Sequence, residues 1–142
     1  MNAESSDPRA ELGRRIDAVE SGYEFLLAYA AQGRDTDRGP GSGRGVREFL
    51  ESMQAALDGL APVARDCAAR RGESVADVAG AFLEALERDA ETARSAVRLV
   101  LAQPDISSQL VDNLNASIHL RALLTDLFIV DEALKERKVR SR

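Results

Sequence analysis

His119–Leu134 reads HLRALLTDLFIVDEAL. With the residues just before it, this stretch carries two apolar seams. Ala116, Leu120, Leu123, Leu127, Val130 and Leu134 follow one another at spacings of 4, 3, 4, 3 and 4, which lines them along one side of a helix. Val111, Leu114, Ile118, Thr125 and Ile129 form a second line, with Leu110 and Phe128 beside it. One buried face needs one seam. Two seams predict a helix packed on several sides, either central in a bundle or shared with a second chain.

The segments before it repeat the pattern. Leu12, Ile16, Val19, Tyr23, Leu26 and Ala30 step by 4 and 3, behind Asp7-Pro8, a capping residue followed by the residue favoured at a first helical position. Val46, Leu50, Met53, Leu57 and Leu60 do the same, until Gly59 and Pro62 interrupt them and predict a kink or short break. A third helix is expected from about Val75 to Ala102, behind Ser74–Asp77, which has nearly the form of a capping box with Asp in place of the usual Glu. Phe82, Leu86, Ala90, Ala93, Val97 and Val100 form its inner face, and the alternating charges of Glu84, Glu87, Arg88, Glu91, Arg94 and Arg98 its solvated one. After Gln103-Pro104-Asp105, a fourth helix is expected to run unbroken to about Arg137.

No segment alternates with strand period. The expected fold is therefore all-α: an antiparallel up-down-up-down four-helix bundle, its second helix kinked near Pro62. The chain of 142 residues suits a single domain over 1–142. Residues 1–6 and 138–142 read as loose tails. Residues 33–45, GRDTDRGPGSGRG, hold five glycines and a proline and read as a flexible loop.

Charge narrows the partners. The net charge is −5, yet Lys135–Arg142 is net +4, which leaves an acidic body. Phosphate binding rests on many Lys and Arg contacts, so nucleic acid is not expected. The basic end reads as a helix terminus. No apolar run approaches a membrane span, and the N-terminal stretch lacks the apolar core of a signal peptide. Cys67 is the one cysteine and reads as an inert, partly buried thiol. The cytoplasm is the expected location.

Chemistry is sparse. Asp112, Asn115, His119 and Asp126 form a polar stripe, and His119 is the sole histidine. A di-iron bundle needs Glu-x-x-His on two helices, and a closed zinc site needs more thiolate and imidazole ligands than this chain has. No metal and no cofactor are expected. Arg34, Arg38 and Arg44 approach a helix start that could hold an anion, but GPGSGRG is not a phosphate-binding fingerprint. The expectation is a non-enzymatic accessory, adaptor or regulatory protein acting through protein–protein contacts as a homodimer. Leu120, Leu123, Leu127, Val130 and Leu134 are the expected interface. The alternative is a small-molecule-binding or catalytic bundle using His119 with Asp126, Asp112, Asn115 and the arginines of the 33–45 loop.

Overall fold

A computed structural model describes residues 7–39 and 45–135. The expected tails, Pro40 and Arg44 lie outside the described residues. Within them the chain forms six α-helices and no strand: α1 (Pro8–Ala30), α2 (Val46–Leu57), α3 (Leu60–Arg70), α4 (Glu73–Leu101), α5 (Ser108–Ala116) and α6 (Ile118–Leu134).

Helix α1 starts as its sequence dictates. The Asp7 carboxylate accepts the Arg9 N–H at 3.1 Å, and Pro8 occupies the first turn, where no intrahelical donor is needed. Leu12, Ile16, Val19, Leu26 and Tyr29 are buried along one side. Gly22 is buried with them because α2 comes close there: a Cβ on Gly22 would collide with Cγ and Sδ of Met53.

The expected second helix is two helices. The chain leaves α2 at Asp58, and Gly59 adopts φ +81°, the left-handed region that favours glycine. Helix α3 then restarts at Leu60, so Pro62 falls in its first turn, where a missing N–H costs no helical hydrogen bond. The break thus precedes the proline. Arg15 of α1 covers the end of α2, donating from Nη1 to the carbonyl oxygens of Ala56 at 3.0 Å and Asp58 at 2.5 Å.

Helix α4 is the longest, at 29 residues. It starts at Glu73 behind Gly72, with no side-chain cap, so the expected Ser74–Asp77 capping box is not formed. Its inner face is close to the expected one: Leu86, Ala90, Ala93, Val97 and Val100 are buried, joined by Leu83, while Phe82 is half-buried.

The largest departure is at Ser117. The expected fourth helix is broken there into α5 and α6. Ser117 sits at φ −59°, ψ 129°, and its Oγ accepts the His119 N–H at 3.2 Å. Serine is among the best capping residues, so its side chain can open a new helix at this point. The two seams change sides across the break. Val111 and Leu114 are buried before it; Leu120, Leu123, Leu127, Val130 and Leu134 are buried after it. Ile118, Thr125 and Ile129 are turned to solvent. One chain therefore buries the first seam from Leu120 onward and only the Val111–Leu114 end of the second.

Buried side chains from all six helices belong to one hydrophobic cluster. Helix α1 packs on α2, α3 and α5, and α4 packs on α2, α3 and α6.

Candidate functional site: the α4–α6 groove

The described part of the 33–45 connection is tied down by polar contacts. Ser108 donates its N–H to the Arg34 carbonyl at 2.8 Å and its hydroxyl to the Tyr29 carbonyl at 2.7 Å, and its Oγ accepts the Arg34 N–H at 2.9 Å. Tyr29 Oη donates to the Ile106 carbonyl at 2.6 Å, and burial raises its pKa. Asp37 accepts the Ile106 N–H at 2.9 Å and Arg47 Nε at 2.7 Å. Arg47 also donates to the carbonyl oxygens of Leu101 and Gln103 at 3.0 and 2.7 Å, which end α4. Burial by itself would raise the Asp37 pKa, but the Arg47 guanidinium and the Ile106 N–H outweigh it and hold the carboxyl below its usual value.

The arginines read as anion ligands are part of this clamp. Arg34 donates to the carbonyl oxygens of Thr36 and Arg38 and lies over the Tyr29 ring, 5.7 Å from its centroid. Arg38 donates to the Pro104 carbonyl at 3.0 Å. Arg44 lies outside the described residues.

The polar stripe does not converge on one pocket. Asp112 is exposed and shares a surface hollow with Arg34 at the start of α5. Asn115 is buried and donates to the Leu26 carbonyl at 3.1 Å. His119 is exposed in the first turn of α6. Asp126 is 9% exposed and faces α4. The break at Ser117 separates the first two from the last two, so their sequence offsets no longer place them on one side. Among the described residues no group of three or more His, Cys, Asp and Glu side chains could hold a metal ion.

The residues expected to meet a second chain are core residues. Leu120, Leu123, Leu127, Val130 and Leu134 are buried within the single chain, because α6 lays that seam against its neighbours. The apolar surface left over lies elsewhere on α6. Ile118 is 74% exposed, Phe128 56% and Ile129 50%.

Ile129 belongs to a groove between the start of α4 and the end of α6. Val75, Val78, Ala79, Phe82 and Leu83 line one wall, and Ile129, Val130, Ala133 and Leu134 the other. The groove is open, encloses about 470 Å³ and is almost wholly apolar, with Ser74 its one polar lining residue among those described. Val78 on its lip is 81% exposed. Exposed valine and isoleucine on the two walls of one apolar concavity are unusual for a surface that meets only water. Sequence reading missed Val75, Val78 and Phe82 as surface candidates. They continue the apolar pattern of α4 past the point where α6 can cover it, a signal that appears once the two helices are paired.

Asp126 meets Asp89 across the same helix pair, one turn of α6 before Val130. Asp126 Oδ2 is buried without a hydrogen-bond partner among the described residues. Burial, then the Asp89 carboxyl beside it, push its pKa up to about 7.

No protein-family model, curated protein or solved structure matches this chain.

Proposed function

We propose that this protein acts by protein–protein contact, as a non-enzymatic accessory or regulatory protein, and that it is a homodimer built on α6 and the groove beside it. The observation that carries this reading is the pairing of an apolar ridge with an apolar groove on one surface. The exposed side chains of Val78 and Ile129 form the ridge, standing on the two walls of the groove that Val75, Ala79 and Phe82 also line. Under two-fold symmetry, a ridge adjoining a groove lets each copy seat its ridge in the other's groove, an isologous contact. Burying one such side chain contributes roughly 1.5–3 kcal/mol, and several are needed to offset the cost of association.

The fold reading behind it is an antiparallel up-down-up-down bundle. Helices α1 and α4 each fill one position, and the pairs α2–α3 and α5–α6 fill the others as broken helices. The packing of α1 and α4 on both pairs supports this. We place the protein in the cytoplasm. Its single cysteine, buried and free, supports a fold that needs no disulfide.

Light scattering with circular dichroism tests the dimer. The unmodified chain is expected to be dimeric at tens of micromolar. Ile129→Glu should give a folded monomer, whereas Leu127→Glu, aimed at the core, should unfold the chain. A monomeric unmodified protein sinks the homodimer, and a dimeric Ile129→Glu variant sinks this interface. A second reading has one observation in its favour: about 470 Å³ of apolar space is within the range that small ligands occupy. An apolar small molecule held there would be displaced by Val78→Glu.

A further inference from the structure

The Asp89–Asp126 contact serves neither the core nor the groove lining. Asp126 lies on α6 between Leu123 and Leu127, both fully buried, in the helix that packs on α4. Its side chain is nine-tenths buried, and its Oδ2 has no donor. Ionising such a carboxyl puts charge on an oxygen that has neither water nor a donor to meet it. What faces it is another carboxyl, that of half-buried Asp89. Two carboxyls in contact are compatible when they hold one proton between them, so that one O–H donates to the other group's oxygen and the pair carries one charge.

Other charged groups around α6 do not relieve the pair. Helix α1 presents Glu20 and Glu24 to a different side of α6, where they share a cleft with Arg121, Leu124 and Phe128. Glu20 is itself raised, by burial and then by Asp17, Asp131 and Glu24. From the end of α3, Arg71 reaches the carbonyl oxygens of Ala133 and Lys135, two turns away. The one acid of α5, Asp112, is exposed beside Arg34 and Asp35. Among the described residues, Asp89 is the charged group that acts on Asp126.

We propose that Asp89 and Asp126 form a pH-sensitive latch on the α4–α6 contact: the shared proton holds the two helices together, and its loss sets two anions against each other and loosens the groove they flank. The groove lies along the same pair of helices, at Val130 one turn and Phe82 two turns from the carboxyls. Asp126 titrates near 7, so the latch would work close to neutrality. The sign follows from linkage. The folded value lies above the ordinary 3.8 of an aspartate, so the folded chain keeps a proton that the unfolded chain has released. The stabilisation is present at low pH and is lost as pH rises through about 7.

The latch does not depend on the dimer, and its readout is stability. Urea unfolding of the full chain at pH 5, 6, 7 and 8 should show the midpoint falling as pH rises. Asp126→Asn keeps the shape and a donor toward Asp89 but cannot ionise. It should flatten that fall and be more stable than the unmodified chain at pH 8. Asp89→Asn removes the facing charge and should move the fall to lower pH; burial of Asp126 acting without the pair would leave it in place. Hydrogen exchange, corrected for the intrinsic pH effect, should show α6 losing protection at pH 8 while α2 keeps it. A flat midpoint for the unmodified chain, an Asp126→Asn slope equal to the unmodified one, or an unmoved transition in Asp89→Asn each overturns the latch. Should Asp126→Asn fail to fold, Asp89→Asn and the unmodified profile still decide it.

Discussion

Two glycines in α1 look alike in sequence and differ in what surrounds them. Gly13 has nothing within 4 Å of where a Cβ would stand, while Gly22 faces Met53. Gly13→Ala should therefore stabilise the chain by roughly 1 kcal/mol, the helix-propensity gain with no steric cost. Gly22→Ala should destabilise it by about 1–3 kcal/mol, because the Met53 side chain must leave its place in the core. Equal changes in the two urea midpoints would show that the close approach of α1 and α2 is not what Gly22 provides. Arg47 is a second case of one residue with several partners. Arg47→Ala removes the cation that holds Asp37 ionised and uncovers the end of α4. A loss of about 1–3 kcal/mol is expected, toward the low end because Arg47 is partly in water. The Asp37 carboxyl is held below its usual value by that guanidinium. Its stabilising share should be present at neutral pH and fade as pH falls below the ordinary aspartate value of 3.8. In Arg47→Ala that acid-side loss should shrink; an unchanged acid limb would count against the pairing.

At the level of elements, two breaks shape the molecule and each has its own cause. Between α2 and α3 the cause is backbone geometry. Gly59 holds φ +81°, and Gly59→Ala should cost about 1–2 kcal/mol because an alanine there crowds its own carbonyl. Between α5 and α6 the cause is a side chain. Ser117 Oγ satisfies an N–H that would otherwise be left without a partner at the start of α6. Ser117→Ala should lose roughly 1 kcal/mol, and Ser117→Asp, which also caps, should recover it. Thermal melts of the three variants check both statements. A Ser117→Ala protein as stable as its parent would mean that packing alone sets the break.

For the whole molecule, the question is which apolar surface is used up by folding. The Leu120–Leu134 seam is used up; Ile118, Phe128, Ile129 and Val78 are not. Polar substitution on the exposed set should leave monomer stability within about 0.5 kcal/mol and act on assembly instead. Substitution within the seam should act on stability first, by about 2–5 kcal/mol for Leu123→Ala. Measuring stability and mass together for Ile129→Gln and Leu123→Ala separates the two classes. A large stability loss in Ile129→Gln would mean that its side chain supports the single chain's core.

The sequence by itself determined that the chain is helical, where α1 and α4 lie, and which side of each is buried. Those depend on 3.6-residue periodicity, on Asp7-Pro8 and on the charged outer face of α4, all local to their segments. It also marked Gly59–Pro62 as an interruption, though not that the proline would fall harmlessly in a new first turn. Tertiary structure alone decided the rest. Whether Ser117 stays inside a helix or opens one depends on what each half can bury, and no spacing within His119–Leu134 encodes that. Once the helix breaks there, Val111 and Leu114 of one seam join Leu120–Leu134 of the other in one core, Ile118 and Ile129 stay outside it, and Asp112, Asn115, His119 and Asp126 part company. Arg34, Arg38 and Arg47 became a clamp through carbonyl groups whose direction no side-chain pattern reveals. The groove and the Asp89–Asp126 pair come from residues about 35 to 60 positions apart, brought together by the pairing of α4 with α6. Apolar spacing says that a face will be covered; it does not say by what, or where the cover ends.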